Sequence, residues 1–175
     1  QMSAFAFFGA VELGLVYAFV ALGVFLSFRV LDFPDLTVDG SFPLGAAVAA
    51  VGIVAGWNPW LATGVAMVAG AFAGFTTAFV SVRFRVLHLL ASILTMIALF
   101  SINLRIMGRP NIAVLNRETM LTPFYGFGLA DHLVRPLFIL ILIAVIPTMI
   151  AFYLKTDLGL ALRATGANPR MARAQ

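Results

Sequence analysis

The sequence predicts an all-α fold, a polytopic bundle of transmembrane helices ending in a small basic elbow. Three observations carry that expectation. Hydrophobic residues make up 62% of the 175-residue chain and charged residues only 10%, against roughly 25% charged in a soluble domain. Mean hydropathy is +1.06. The apolar residues gather into runs of about 20 without strict alternation, the length of a membrane-spanning helix. Helices and closed barrels are the structures that satisfy their own backbone in lipid, and the lack of alternation favours helices.

Five segments are expected, at 4–28, 44–56, 60–80, 86–107 and 136–154. The first is 25 residues long and no Lys or Arg precedes Arg29. It is therefore too long and lacks the flanks for a signal peptide, and it is long enough to cross a ~30 Å hydrocarbon core. Glu12 lies inside it. A carboxylate there either snorkels to the nearer interface or lines a cavity, and the sequence leaves both open.

The second segment follows "FRVLDFPDLTVDGSFPLGAA" (28–47), which sets Asp32, Asp35 and Asp39 among the helix breakers Pro34, Gly40 and Pro43. Counted from Leu44 it has about 13 residues, or ~20 Å of helix. The missing ~10 Å requires about three extended residues. Asp39, Gly40 and Ser41 are thus expected as non-helical backbone within the bilayer, with Ser41 capping the helix and Pro43 in its first turn. A short segment broken by Gly and Pro points to a translocation site.

Trp57-Asn58-Pro59-Trp60 reads as an interfacial hairpin into the third segment. That segment carries Ala62, Ala66, Gly70, Gly74 and Ala78 at a spacing of four, a smooth stripe for close helix packing. In the fourth, His88, Ser92, Thr95 and Asn103 fall within an arc of about 80°, facing helix neighbours or a pathway. A long loop with Pro110 and Pro123 leads to the fifth.

Net charge is +4 and the pI about 10.4. The cations sit in short loops, where they set orientation and do not signal nucleic acid. With five crossings, seven Arg and Lys fall on the side of loops 29–41 and 81–85 and the tail 155–175, and four on the other. The rule places the tail in the cytoplasm. The chain has no Cys and two His, His88 and His132, so disulfides and thiolate metal sites are excluded. No nucleophile–base pair or Walker A loop appears, so no catalytic or metal residue is expected and any ATP is bound by another chain.

The chain closes on "TDLGLALRATGANPRMARAQ". Asp157 is placed to cap a short helix through Leu158, Ala161 and Leu162, with Arg163 beyond them. Gly166 is expected to stop it, and Asn168-Pro169 to turn into a second helix. From composition alone this is either a docking elbow or a basic segment lying on anionic lipid.

"LGLALRATGANPRMARA" resembles the cytoplasmic coupling loop of ABC-importer permeases. "FPDLTVDGSFPLGAAVAA" resembles the Asp-Leu-Ser/Thr-Val-x-Gly/Ser signature of permeases of the branched-chain amino acid, ribose and simple-sugar class. The version here looks nearest to permeases paired with lipoprotein-type binding proteins for aromatic amino acids or similar small solutes. The resemblance implies a permease half over 1–154 and a coupling loop over 155–175, truncated, in the N-terminal part of a longer chain. It implies a multi-pass protein of a prokaryotic plasma (inner) membrane, working by alternating access. Its implied partners are a second permease subunit as a homodimer, a cytoplasmic ABC ATPase that binds ATP and Mg, an extracytoplasmic solute-binding protein and the lipid bilayer. Asp157, Leu158, Gly159, Arg163, Gly166, Asn168 and Pro169 would transmit motion. Asp35, Thr37, Asp39, Gly40 and Ser41, with Ser92, Thr95 and Asn103, would lie along the pathway, and Ala66, Gly70 and Gly74 would pack helices. Two rival expectations stand beside it. One is a secondary transporter driven by an ion gradient, with Glu12 and Asp39 as coupling carboxylates. The other is a non-transporting scaffold assembled through the glycine face.

Overall fold

The computed structural model describes residues 3–174, and among these the regular structure is entirely helical. Helix α1 (Ala4–Phe25) runs into a π-helical turn (Leu26–Val30). It is followed by α2 (Val38–Val54), α3 (Pro59–Phe84), α4 (His88–Met107), a 3₁₀ turn (Thr122–Phe124), α5 (Asp131–Leu154), α6 (Asp157–Ala167) and α7 (Pro169–Ala172). Four of these are long and apolar enough to cross a membrane: α1 with its π-turn, α3, α4 and α5. The chain divides into two compact units. One is Pro34–Thr122, with α2, α3 and α4; the other holds α1, the π-turn and α5 to α7.

In the first unit α2 packs against both α3 and α4. Its start corrects the sequence expectation. The helix begins at Val38, not Leu44, so Asp39, Gly40 and Ser41 are helical and Pro43 lies inside it. The amides of Gly40 and Ser41 both bond Thr37 O, at 2.9 and 2.8 Å, and Ser41 caps nothing. Three features offset the breakers. Asp39 sits in the first turn, where the helix dipole favours a carboxylate. Gly40 lets α4 approach: a Cβ there would meet Leu99 and the Met96 backbone at 3.1 Å. In lipid a helix also satisfies backbone groups that an extended stretch would leave bare. At 17 residues, α2 is ~26 Å long, close to a full crossing.

The α2–α3 hairpin is built from its own sequence. Gly56 takes φ +87°. The amides of Gly56 and Trp57 return to Ile53 O and Gly52 O at 3.1 and 2.9 Å, the paired bonds of a glycine-terminated helix end. Trp57 covers Gly52, where a Cβ would lie 2.9 Å from the indole. Asn58 then caps α3 by accepting from the Trp60 amide at 3.0 Å, with Pro59 in the first turn. Left-handed Arg85 (φ 54°) ends α3, and Gly108 (φ 66°) ends α4.

In the second unit α1 packs along α5. Ser3 caps α1 by accepting from the Ala6 amide at 3.3 Å. At its other end, Leu31 N bonds Leu26 O at 3.1 Å and Phe33 N bonds Ser27 O at 3.0 Å. Ser27 Oγ donates to Phe33 O at 2.6 Å. These wide loops slow the helix into its exit, and left-handed Asp32 (φ 50°) finishes it. Helix α5 starts at Asp131, five residues before the expected Pro136. Pro136 is the sixth residue of this helix, past the amides that lack partners at a helix start, so it removes one helical hydrogen bond, as does Pro147 further in.

Candidate functional site

Buried polar groups join the three helices of the Pro34–Thr122 unit. Asp35 Oδ1 accepts from the Thr37 amide at 2.8 Å, an Asx turn that aims the chain into α2. Thr37 stands at the N-cap position without capping. Its hydroxyl meets that of Thr77, on α3, at 2.5 Å. Thr37 is 1% exposed and Thr77 0%. On α4, Asn103 Nδ2 donates to Gly40 O at 3.4 Å, while its buried Oδ1 has no partner among the described residues. Ser92 and Thr95 are buried but bond carbonyls of their own helix, Leu89 O and Ala91 O. Asp39 is exposed, and Asp35 and Ser41 are half-buried.

The structure thus brings Thr37, Gly40 and Asn103 together, with Asp35 behind Thr37. Thr77 is the participant that the sequence reading missed. The small-residue row is also offset. Ala62 is fully buried against Gly52, but beyond it the buried positions are Ala73, Thr77 and Ser81. Gly70 and Gly74 are half-buried, and a Cβ at either meets nothing within 4 Å among the described residues. The signal was present: Ala69, Ala73, Thr77 and Ser81 are also four apart, once hydroxyl residues are counted as small. Ser81 continues the polar line, bonding Val86 O at 3.0 Å and contacting His88 Nδ1. His88 itself is exposed, apart from the buried members of its stripe.

In the other unit, α6 and α7 form the elbow. Thr156, not Asp157, caps α6, accepting from the Gly159 amide at 3.3 Å; Asp157 lies in the first turn, facing the positive end of the dipole. Gly166 does not stop the helix. It is buried within α6, and a Cβ there would strike Val30 O at the end of the π-turn. Gly159 is likewise closed over: a Cβ would strike Tyr153 O and the Leu154 backbone. The helix ends at Asn168, whose extended backbone terminates α6 and whose Oδ1 accepts from the Arg170 and Met171 amides, both at 3.2 Å. Asn168 therefore ends one helix and caps the next, with Pro169 opening α7. Leu158, Leu160 and Met171 remain exposed, as does Arg163.

Glu12 finds a partner in this unit. Its Oε1 lies 3.9 Å from Arg135 Nη1, and Arg135 Nε donates to Tyr125 Oη at 3.0 Å. Both charged groups line a cavity of about 410 Å³ with Phe8, Asp131 and His132.

These features define an integral membrane protein of the polytopic helical class, carrying a helical elbow outside its spans. Residues 6–175 match the family described as branched-chain amino acid transport system / permease component, and the chain belongs to that family. It is 35% identical over 161 residues to a tyrosine transport system permease protein of Clostridioides difficile (strain R20291), covering 91% of this chain and 51% of that one. It is 38% identical over 159 residues to an uncharacterized protein of Rickettsia prowazekii (strain Madrid E), covering 91% and 54%. The chain thus spans about half the length of these curated relatives. No solved structure gives a significant match.

Proposed function

We propose that this chain forms part of the translocation pathway of an ATP-driven importer, and that the α6–α7 elbow docks on a cytoplasmic ATPase. The observation that carries this reading is the elbow. It presents Leu158 and Leu162, four positions apart on one side of α6, to solvent at 68% and 38% exposure. Its helix is meanwhile seated on backbone at Gly159 and Gly166. An exposed apolar helix face suits insertion into a partner groove. A backbone-to-backbone seat suits force transmission, because no flexible side chain absorbs the displacement.

In this reading Asp157, Leu158, Gly159, Arg163, Gly166, Asn168 and Pro169 act as one lever. Asp35, Thr37, Asp39, Gly40 and Ser41 on one side, and Ser92, Thr95 and Asn103 on the other, lie along or behind the pathway. The pathway works by alternating access in a permease homodimer, served by an extracytoplasmic solute-binding protein. The chain does no chemistry on the solute; ATP and Mg belong to the ATPase. The solute is an amino acid, with tyrosine and other aromatic ones first in line, as the clostridial relative is described as part of a tyrosine transport system.

The test is co-purification of the intact permease from its own membranes in mild detergent. An ATP-hydrolysing subunit is expected with the wild type and lost with Ala164→Asp, which adds a charge to an exposed position of α6. If no ATPase is retained, even after crosslinking, the reading fails and gradient-driven transport takes its place.

A further inference from the structure

A second cavity, of about 600 Å³, opens within the α1/α5–α7 unit where the π-turn meets α6. Its wall carries Arg29 and Asp32 from the end of α1, Arg163 from α6, and the rings of Phe25 and Phe28. Arg29, Asp32 and Arg163 are all exposed. Among the described residues neither arginine takes part in an ion pair. Two cations and one carboxylate leave the cavity with a net charge of +1.

The level in the membrane is fixed by the chain itself. Arg29 is the first cation after the apolar run of α1, so it marks the boundary between hydrocarbon and headgroups. Phe25 and Phe28, exposed at 52% and 40%, lie on its apolar side. Gly166 makes the arrangement possible. By admitting Val30 O against its Cα it draws α6 onto the π-turn and brings Arg163 to the cavity that Arg29 lines.

We propose that this cavity binds the phosphodiester of an anionic glycerophospholipid. Arg29 and Arg163 hold the phosphate, Phe25 and Phe28 contact the upper acyl chain, and the Asp32 carboxylate accepts hydroxyls of a headgroup such as glycerol. A basic pocket beside a transmembrane helix at headgroup depth fits this chemistry, and guanidinium groups suit phosphate oxygens. The carboxylate selects against a doubly charged phosphomonoester, so phosphatidylglycerol is preferred to phosphatidate. The lipid then braces the elbow against α1. The proposal rests on the membrane placement of α1 and not on ATPase docking.

The experiment is native mass spectrometry of the intact permease, exchanged into nanodiscs of phosphatidylcholine containing phosphatidylglycerol or phosphatidate. Wild type is expected to retain phosphatidylglycerol in preference to both others. Arg29→Gln and Arg163→Gln should each weaken retention about fivefold, the effect of one cation near an anionic surface. Arg173→Gln, on the same tail but outside the cavity, should leave it unchanged. Asp32→Asn should erase the preference over phosphatidate, a readout independent of whether the arginine variants fold. Equal retention of phosphatidylcholine, or no change in either arginine variant, overturns the proposal. Displacement of the lipid by millimolar inorganic phosphate overturns it in favour of a soluble-anion site.

Discussion

The α2–α3–α4 unit and the α1–α5–α6–α7 unit are held together by different means. In the first, hydroxyls and an amide are buried between helices: Thr37 on Thr77, and Asn103 on Gly40 O. In the second, α1 has no buried residue at all. Its close contacts include glycine against backbone at the elbow, the Phe8–His132 ring contact and one loose ion pair, Glu12–Arg135. The contrast follows from the solvent. Lipid tails are as apolar as Leu, so burying more Leu against another helix gains little. Small residues that allow close approach and polar groups that need partners do the holding. Both units approach closely at glycines, Gly40 and Gly52 in the first and Gly159 and Gly166 in the second; the first adds buried polar partners across its helices.

That contrast can be broken or sharpened by substitution, and the largest effects are expected at the elbow. Gly166→Ala should cost about 1–3 kcal/mol, because the atom it meets is a carbonyl of the main chain and must be pushed aside. Unfolding by denaturant in detergent reads the loss. Under the proposed function, solute-stimulated ATP hydrolysis should fall with it. A neutral Gly166→Ala would show that the π-turn yields and that the seat transmits no force.

Thr37→Val should cost about 1 kcal/mol in the same unfolding measurement, within the range of interhelical bonds in membranes. Thr77 would keep only its 3.5 Å contact with Ala73 O. Asn103→Leu should be smaller and of either sign, within about 1 kcal/mol. It removes a weak 3.4 Å bond and also an unpartnered buried oxygen. A loss of activity without a loss of stability in Asn103→Leu would move this residue from packing to the pathway.

The smallest effect is expected at Gly70→Ala and Gly74→Ala, within about 0.5 kcal/mol, since a Cβ at either position meets open space. Analytical ultracentrifugation of the same variants sharpens the point. A shift in oligomeric state with unchanged stability would assign the glycine stripe to a neighbouring subunit.

The legibility of the sequence follows the range of the forces. The apolar runs, the Trp57–Trp60 hairpin and the Asn168-Pro169 elbow rest on local chemistry: hydropathy, a positive-φ glycine, Asn caps ahead of proline. All three were readable. The start of α2 was misread because Gly40 and Pro43 are breakers only in isolation. Gly40 is there to admit Leu99 of α4, a contact 59 positions away. Gly166 was misread for the same reason, as a stop where it is a seat. Which of two small-residue rows on α3 would be buried is equally non-local. The rows lie about 60–100° apart around one helix, and the buried row is the one that sets the Thr77 hydroxyl against that of Thr37.

By itself, then, the sequence determined that this is a helical membrane protein with a capped elbow following the segment at 136–154, because solvent partition and backbone capping act within a turn or two of chain. Only the tertiary structure decided which glycines are contacts, where the carboxylate of Glu12 finds its cation, and how Arg29 and Arg163 come to line one cavity. Those outcomes depend on helices meeting at distances of sequence over which no local propensity has any reach.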